Sequence, residues 1–191
     1  MPIYSSLMMN SREDFGVSSK TDRPIGVTHN QIHNAQFDAV KSILPDEIKP
    51  YLIMVILSQV RITLPHVHTA EKCLINWYLE VDGQVTSFYE GEIKKDDRWS
   101  TDNGHGYYNV NPETVYPVES FIAKEHDIYL LKSTQTHSVT LKDDSRIGVN
   151  RYDPINSNVR YMITARLNLP YEEVVEILRK HKLLEDATEY V

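Results

Sequence analysis

Residues 62–92, ITLPHVHTAEKCLINWYLEVDGQVTSFYEGE, decide the fold of this chain. Two segments within this stretch, 74–81 and 84–90, are rich in β-branched and aromatic side chains, which favour strands. They flank Asp82-Gly83, and this dipeptide favours a tight turn because glycine adopts positive φ values at little cost. The stretch therefore predicts a β-hairpin in a chain that is built mainly from strands.

The rest of the sequence predicts more strands, with a helix before them and a helix after them. Apolar residues at helical spacing indicate a helix over 31–44, which ends at Pro45 because proline cannot donate a backbone hydrogen bond. After Pro170, acidic residues followed by basic ones favour a second helix, since they complement the helix dipole. Short strands are predicted over 51–63, 118–123, 127–132, 137–141 and 160–169, and a long loop over 91–117.

These elements indicate one domain that is mainly β with flanking helices, arranged as a β-sandwich or a barrel. The chain has 191 residues, which is long enough to bury a real core. The polar segment 1–30 is expected to form an extended or loosely docked N-terminal arm. The domain itself is expected to occupy 31–191.

Composition and charge narrow the classes of function. The formal net charge of -7 argues against a general nucleic-acid binder. The single cysteine, Cys73, excludes an internal disulfide, which fits the reducing cytoplasm, and its apolar neighbours favour a core position over a nucleophilic role. The longest apolar run, 51–57, is too short to cross a bilayer, so no membrane partner is expected.

Three histidines are the most informative polar residues. His66 and His68 lie two positions apart in a predicted strand, so their side chains point to the same face. His137 begins another predicted strand, which the fold can bring close to them. Imidazole is the commonest metal ligand near neutral pH, and three such groups can hold iron, zinc or copper. The alternative for each histidine is an ordinary hydrogen-bonded position on a strand.

Four segments, in this order, resemble the Fe(II)/2-oxoglutarate-dependent dioxygenases, in particular small phage and bacterial members related to prolyl and aspartyl hydroxylases. The segments are ITLPHVHTAEKCLINWYL (62–79), TSFYEGE (86–92), DIYLLKSTQTHSV (127–139) and RYMITARLNLPYEEVVEIL (160–178). In that family a His-x-Asp strand, an Asn-containing strand, a hairpin and a strand with a histidine precede a last strand that opens with an arginine. The resemblance implies a double-stranded β-helix, a jelly-roll of the cupin-like type. It also implies a non-haem iron oxygenase that hydroxylates an organic substrate with O2 and 2-oxoglutarate.

The resemblance implies metal ligands residue by residue. His66 corresponds to the first ligand of the family and His137 to the distal one. His68 lies where the family has a carboxylate, so the chain departs from the usual set of two histidines and one acid. Glu71 and Glu90 are nearby acids that are candidates for the missing carboxylate, and their spacing favours neither.

The resemblance also implies residues that bind 2-oxoglutarate. An arginine on the last strand of the family holds the distal carboxylate, to which its planar guanidinium can donate two parallel hydrogen bonds. Arg160 begins the last predicted strand and is favoured for this role, whereas Arg146 lies nine residues after His137, close to the interval usual in the family. Asn76 and Tyr89 are further candidate contacts to the co-substrate, with packing in the sheet as their alternative.

Two other hypotheses stay open, because a carboxylate offsets part of the charge of a metal and three neutral imidazoles offset none. One is a three-histidine, cupin-like metalloenzyme that does not use 2-oxoglutarate. The other is a non-enzymatic descendant of the fold that binds a small ligand or a protein partner. Under the leading hypothesis the partner is a small-molecule co-substrate, and the loop over 91–117 helps to enclose a primary substrate that the sequence does not specify.

Overall fold

The computed structural model describes residues 4–6, 28–31, 34–60, 63–95, 107–141 and 160–184. In these residues, eleven strands form two antiparallel sheets. With strands numbered in chain order, the six-stranded sheet has the order β1 (Tyr4–Ser6), β9 (Ile128–Leu131), β5 (Cys73–Glu80), β11 (Arg160–Leu167), β3 (Leu52–Val60) and β2 (Thr28–Gln31). The five-stranded sheet has the order β7 (Tyr107–Asn109), β4 (Thr63–His68), β10 (His137–Leu141), β6 (Gln84–Gly91) and β8 (Val115–Ile122).

The pairs of neighbouring strands are nested within one another along the chain. β3 pairs with β11, β4 with β10, β5 with β9, and β6 with β8. The chain from β3 to β11 is therefore folded back on itself like one long hairpin. Successive pairs of this hairpin alternate between the six-stranded and the five-stranded sheet.

Four strands of the six-stranded sheet, β3, β5, β9 and β11, divide their side chains between two cores, because successive side chains of a strand point to opposite faces. On β11, Ile163 and Ala165 pack toward the helices. The cluster that they join contains residues of the six-stranded sheet, of the two helices and of the segments that connect them. Met162 faces the other way and shares a second cluster with Phe88 and Val139 of the five-stranded sheet. The two sheets therefore face each other across this second cluster, an architecture that is mainly β and consistent with the predicted sandwich.

Both helices cover the outer face of the six-stranded sheet, and the predictions of a helix before and after the strands are confirmed. The first, α1 (Asn34–Ile43), ends just before Pro45, and the second, α2 (Tyr171–Lys180), begins directly after Pro170. The acidic first turn and basic last turn of α2 are those that the sequence predicts. Its buried residues recur at helical spacing: Tyr171, Val174, Val175 and Leu178. Short 3-10 turns cover Lys49–Tyr51 and Pro112–Thr114.

The predicted hairpin at Asp82-Gly83 is wrong. The two flanking strands form as predicted, but β5 pairs with β9 and β11, whereas β6 pairs with β10 and β8. Gly83 does adopt the positive φ of 71° that its turn chemistry favours. The turn therefore carries the chain from one sheet to the other, because its residues determine local backbone shape and the partners of each strand are determined by distant segments.

Two segments predicted to be irregular contain strands. Residues 4–6 and 28–31 of the predicted arm form β1 and β2, which lie at the two edges of the six-stranded sheet. The segment 91–117, predicted as a long loop, contains β7 and the beginning of β8. Its residues 96–106 lie outside those that the structure describes, so the predicted enclosing role of this loop stays a prediction.

Cys73 occupies the core position that its neighbours predict. It is fully buried in the cluster under the helices, and its thiol donates to the backbone oxygen of Leu169 at 3.3 Å. Burial raises the pKa of the Cys73 thiol to about 12, so the nucleophilic thiolate form is absent near neutral pH. In the part of the chain that the structure describes, no helix has the length and apolar character needed to cross a membrane.

A glycine pair offers a test of the β6–β8 connection. Gly91 has a φ of 130° and pairs with Val115, and a Cβ at this position would overlap the backbone oxygen of Thr114. Gly83 also has positive φ, but a Cβ there meets no atom within 4 Å. We expect Gly83→Ala to lower the free energy of unfolding by about 1 kcal/mol. Gly91→Ala should lower it by about 3 kcal/mol, because strain and overpacking add. Urea denaturation measures both, and equal losses would contradict the placement of Gly91.

Candidate metal centre

Three histidines meet on the inner face of the five-stranded sheet. His66 and His68 come from β4, and β10 pairs antiparallel with β4 so that His137 lies opposite His66. The ring centroids are 4.3 Å apart for His66 and His137, and 5.1 Å apart for the other two pairs. One ligand nitrogen from each ring lies within 4.8 Å of the others. His66 and His137 are buried and the His68 side chain is 10% exposed, so this buried cluster can hold a metal ion.

Two of the rings are oriented by backbone oxygens. Nδ1 of His66 lies 2.8 Å from the carbonyl oxygen of Leu64, and Nδ1 of His137 lies 2.8 Å from that of Gln135. A carbonyl oxygen can only accept, so Nδ1 carries the hydrogen in both rings and Nε2 carries the lone pair. This is the second interaction that metal-binding histidines ordinarily make, and it fixes both the tautomer and the ring orientation.

The third ring is oriented by a carboxylate. Nδ1 of His68 donates to Oε1 of Glu71 at 2.5 Å, and Glu71 is 1% exposed. Nε of Arg166, on the inner face of β11, lies 3.5 Å from the same oxygen. Of the two acids considered as the missing carboxylate, Glu71 therefore contacts the cluster through His68, whereas Glu90 is exposed. The three-residue spacing between His68 and Glu71 allows this contact only because the chain turns directly after β4.

The electrostatics of the cluster favour the forms that bind a metal. The pKa of His137 is lowered to about 3, mainly by burial and then by the charges of His68 and Arg160, although the hydrogen bond to Gln135 raises it. His137 is therefore neutral at pH 7. Burial by itself raises the pKa of the Glu71 carboxyl, but the hydrogen bond from His68 and the charges of His68 and Arg166 outweigh it, so that this pKa lies below its ordinary value.

Arg160 lies in the space between the sheets. It begins β11, is 3% exposed, and donates from Nη1 to the hydroxyl of Thr86 on β6 at 2.8 Å. Its guanidinium lies 5.3 Å from the centre of the Tyr78 ring. Burial lowers its pKa, but the ordinary value is so high that the group stays charged at pH 7. No carboxylate of the described residues forms an ion pair with Arg160, and its Nε has no hydrogen-bond partner among them.

Asn76 and Tyr78 are on the same inner face of β5. Both side chains are buried, and both share this face with Leu74, as alternation predicts. The Asn76 Oδ1 and the Tyr78 hydroxyl have no hydrogen-bond partner within the described residues. Buried polar atoms are nearly always paired, so such a group marks a place where water or a ligand binds.

One candidate co-substrate contact, Tyr89, is not brought to the cluster. The Tyr89 hydroxyl bonds to Ser138 at 2.9 Å, and Ser138 points away from the face that carries its neighbour His137. The β6 residue opposite His137 is Phe88, so Phe88 lies on the inner face instead of Tyr89. Arg146 is outside the described residues, and its predicted role stays a prediction.

The sequence analysis missed two residues of the site, Thr86 and Arg166. Strand alternation could have indicated both. Arg166 lies six positions after Arg160, so the two share a face of β11, and Thr86 lies two positions before Phe88 on β6. No sequence pattern indicates the contact between Thr86 and Arg160, because the two residues are 74 positions apart in the chain.

Comparison with known proteins gives no family. No protein-family model and no curated protein sequence matches the chain. Among solved structures, the X-ray structure of E. coli ycfD is similar at 10% sequence identity and a TM-score of 0.40, over 82% of this chain and 36% of that chain. The chain thus spans little more than a third of that protein's chain, and a similarity at this level identifies neither a family nor a function.

Metal binding tests the cluster directly. We expect the metal-free protein to take up one equivalent of Co(II), Zn(II) or Fe(II). His137→Ala should weaken that binding by about 100-fold or more, since even the loss of an outer partner of a ligand costs about 10- to 100-fold. His181→Ala is the matched control, because His181 is an exposed histidine far along the chain that pairs with Glu47. Calorimetric titration measures all three proteins, and equal affinities would contradict the assignment.

Proposed function

We propose that this chain is a non-haem Fe(II) oxygenase that hydroxylates an organic substrate with 2-oxoglutarate as co-substrate. The observation that carries the proposal is a buried arginine, Arg160, without a carboxylate partner among the described residues, in the same inter-sheet space as three buried histidines. A buried charge is stable only when it is paired. A ligand carboxylate in this space would supply the pair.

The strand order supports a double-stranded β-helix as the fold behind this function. A jelly-roll consists of eight strands in two sheets, which form when one long hairpin winds around a central space. The four nested pairs from β3–β11 to β6–β8 have this arrangement, with successive pairs in alternate sheets. The histidines and Arg160 then lie inside the roll, where the side chains of both sheets converge.

The charge inside the roll supports a dianionic co-substrate. Among the described residues, the buried charged side chains other than histidine are Glu71, Arg160 and Arg166, which together give one positive charge. The three imidazoles add none in the neutral form that binds a metal, and a divalent cation adds two. The centre with its metal would therefore carry three positive charges, and the two carboxylates of 2-oxoglutarate would offset two of them.

The distances support a ligand that reaches from the histidines to Arg160. Thr86, which holds Arg160, pairs with Val139, and Val139 lies two residues after His137 on β10. Two residues of strand span about 7 Å. Arg160 and the histidines are therefore neighbours within the inter-sheet space, so one end of a dicarboxylate could bind the metal while the other pairs with the guanidinium.

The roles of the residues follow from these contacts. The chemistry supplied by iron, when it is bound, is the activation of O2 for hydroxylation. His66, His68 and His137 would hold the ion through Nε2, since each Nδ1 donates to a protein oxygen. Arg160 would bind and orient the distal carboxylate of the co-substrate, and Asn76 would contact the same ligand. The apolar side chains of the inter-sheet cluster exclude water from the site.

The unpaired polar atoms also support a ligand site. The carboxylate Oε2 of Glu71, Oδ1 of Asn76, the Tyr78 hydroxyl and Nε of Arg160 lack hydrogen-bond partners within the described residues. Each such atom costs about 1–3 kcal/mol when it stays unpaired, so that four of them approach the whole net stability of a domain. Water or a bound ligand must therefore pair with most of them.

A three-histidine metalloenzyme that does not use 2-oxoglutarate is the second candidate. The observation that favours it is His68 itself, because the third ligand is an imidazole where the usual set has a carboxylate. This candidate requires the same metal centre and leaves Arg160 to pair with a different anion.

Turnover of 2-oxoglutarate tests the proposal. We expect protein reconstituted anaerobically with Fe(II), then exposed to O2, to convert 2-oxoglutarate to succinate without added primary substrate, at a slow uncoupled rate. Arg160→Gln should raise the KM for 2-oxoglutarate by about 100-fold, because two charge-assisted hydrogen bonds worth about 3 kcal/mol are lost. The exposed Arg179, on α2, provides the matched control Arg179→Gln, which should behave as the wild type.

Three outcomes separate the hypotheses. Succinate formation that depends on Arg160 supports the proposed oxygenase. The three-histidine enzyme is favoured if the wild type binds one equivalent of metal, His137→Ala does not, and neither protein consumes 2-oxoglutarate. A protein that binds no metal would contradict both and leave the non-enzymatic alternative.

A further inference from the structure

Glu71 makes a contact that the proposed metal centre does not by itself require. Its carboxylate accepts from Nδ1 of His68 at 2.5 Å, whereas the other two rings donate to backbone carbonyls. His68 is also the ligand that lies where the resembling family has a carboxylate. The negative charge of Glu71 therefore lies behind His68. Compared with the carboxylate ligand of the resembling family, it is farther from the metal position by the length of one imidazole ring.

We infer that Glu71 is a positioning residue that supplies the negative charge of the metal centre through His68. The inference rests on the proposed metal centre and not on the use of 2-oxoglutarate. A carboxylate that accepts from Nδ1 makes the opposite nitrogen a stronger donor and holds the ring toward the metal. The pair His68–Glu71 thereby does in two residues what an aspartate ligand does in one.

The backbone around Glu71 is held without its carboxylate. The amide of His68 donates to the backbone oxygen of Ser133 at 3.2 Å. The Ser133 hydroxyl in turn donates to the backbone oxygen of Glu71 at 3.1 Å. The amide of Lys72 donates to the Leu167 oxygen at 2.9 Å. These bonds fix the turn between β4 and β5, so the carboxylate is not needed to form it.

Arg166 accounts for only part of the Glu71 charge. Its Nε approaches Oε1 to 3.5 Å, a distance outside ordinary hydrogen-bond geometry, and both this Nε and the Glu71 Oε2 lack hydrogen-bond partners among the described residues. The short contact of Glu71 is the one to His68. A structural ion pair would show the reverse, with the close contact made to the arginine.

Metal affinity in Glu71 variants tests the inference, with Co(II) as the probe. We expect Glu71→Gln to weaken Co(II) binding by about 10- to 100-fold, the usual effect of removing the outer partner of a ligand. The visible absorption of bound Co(II) should also change, because the donor strength of His68 changes. The midpoint of thermal unfolding without metal should stay close to that of the wild type.

Two comparisons separate this role from a general effect of charge. Glu47→Gln removes a carboxylate from another histidine, since Glu47 accepts from His181 at 3.1 Å on the surface, and it should leave Co(II) affinity unchanged. His68→Ala removes the ligand through which Glu71 acts. In the His68→Ala background, Glu71→Gln should therefore have no further effect on affinity.

Each contrary result overturns the inference. The inference is wrong if Glu71→Gln leaves the Co(II) affinity unchanged. It is also wrong if Glu71→Gln lowers the Co(II) affinity by the same factor in the His68→Ala background as in the wild type. A Glu71→Gln chain that fails to fold also overturns it, because the carboxylate would then be structural. Co(II) affinity that depends on Glu71 without succinate formation would contradict the oxygenase and leave this inference standing.

Discussion

The pairing of β10 with β4 is the constraint on which the site depends. Strand alternation alone brings His66 and His68 to one face, but only antiparallel pairing in this register places His137 opposite His66. A shift of one residue would turn His137 to the outer face and bring Ser138 inward. The nested strand pairs prevent that shift, because β10 is also paired along its length with β6. The histidine cluster is therefore a consequence of sheet register more than of any local motif.

Local patterns predicted the elements well, and they failed where partners are distant. The period-2 placement of His66 and His68, the helix after Pro170 and the core position of Cys73 all depend on neighbours along the chain. The hairpin at Asp82-Gly83 is wrong because positive φ at Gly83 describes a turn and not the partner of either strand. The contact from Arg160 to Thr86 joins strands that no nearby sequence links.

The candidate site shows the same division between local and distant information. His137 and Asn76 could be named in advance because the order of segments resembles a family. Tyr89 was named as a candidate contact, but the β6 residue opposite His137 is Phe88, and this register has no local signal in the sequence. Glu71 lies only three positions from His68, yet its contact depends on how the chain turns after β4 and on Ser133, which holds that turn from the segment before β10.

Charge explains why a buried centre of three imidazoles needs the residues around it. Neutral ligands leave a divalent cation uncompensated in a medium of low dielectric constant, and Arg160 adds a further positive charge between the sheets. Glu71 is the one buried carboxylate among the described residues, and it contacts His68 of the histidine cluster. The Glu71 carboxylate can offset one positive charge, and the nearby Arg166 guanidinium neutralises part of it. With a divalent cation bound, the remaining excess would be positive, so an anion between the histidines and Arg160 would offset it and a neutral ligand would not.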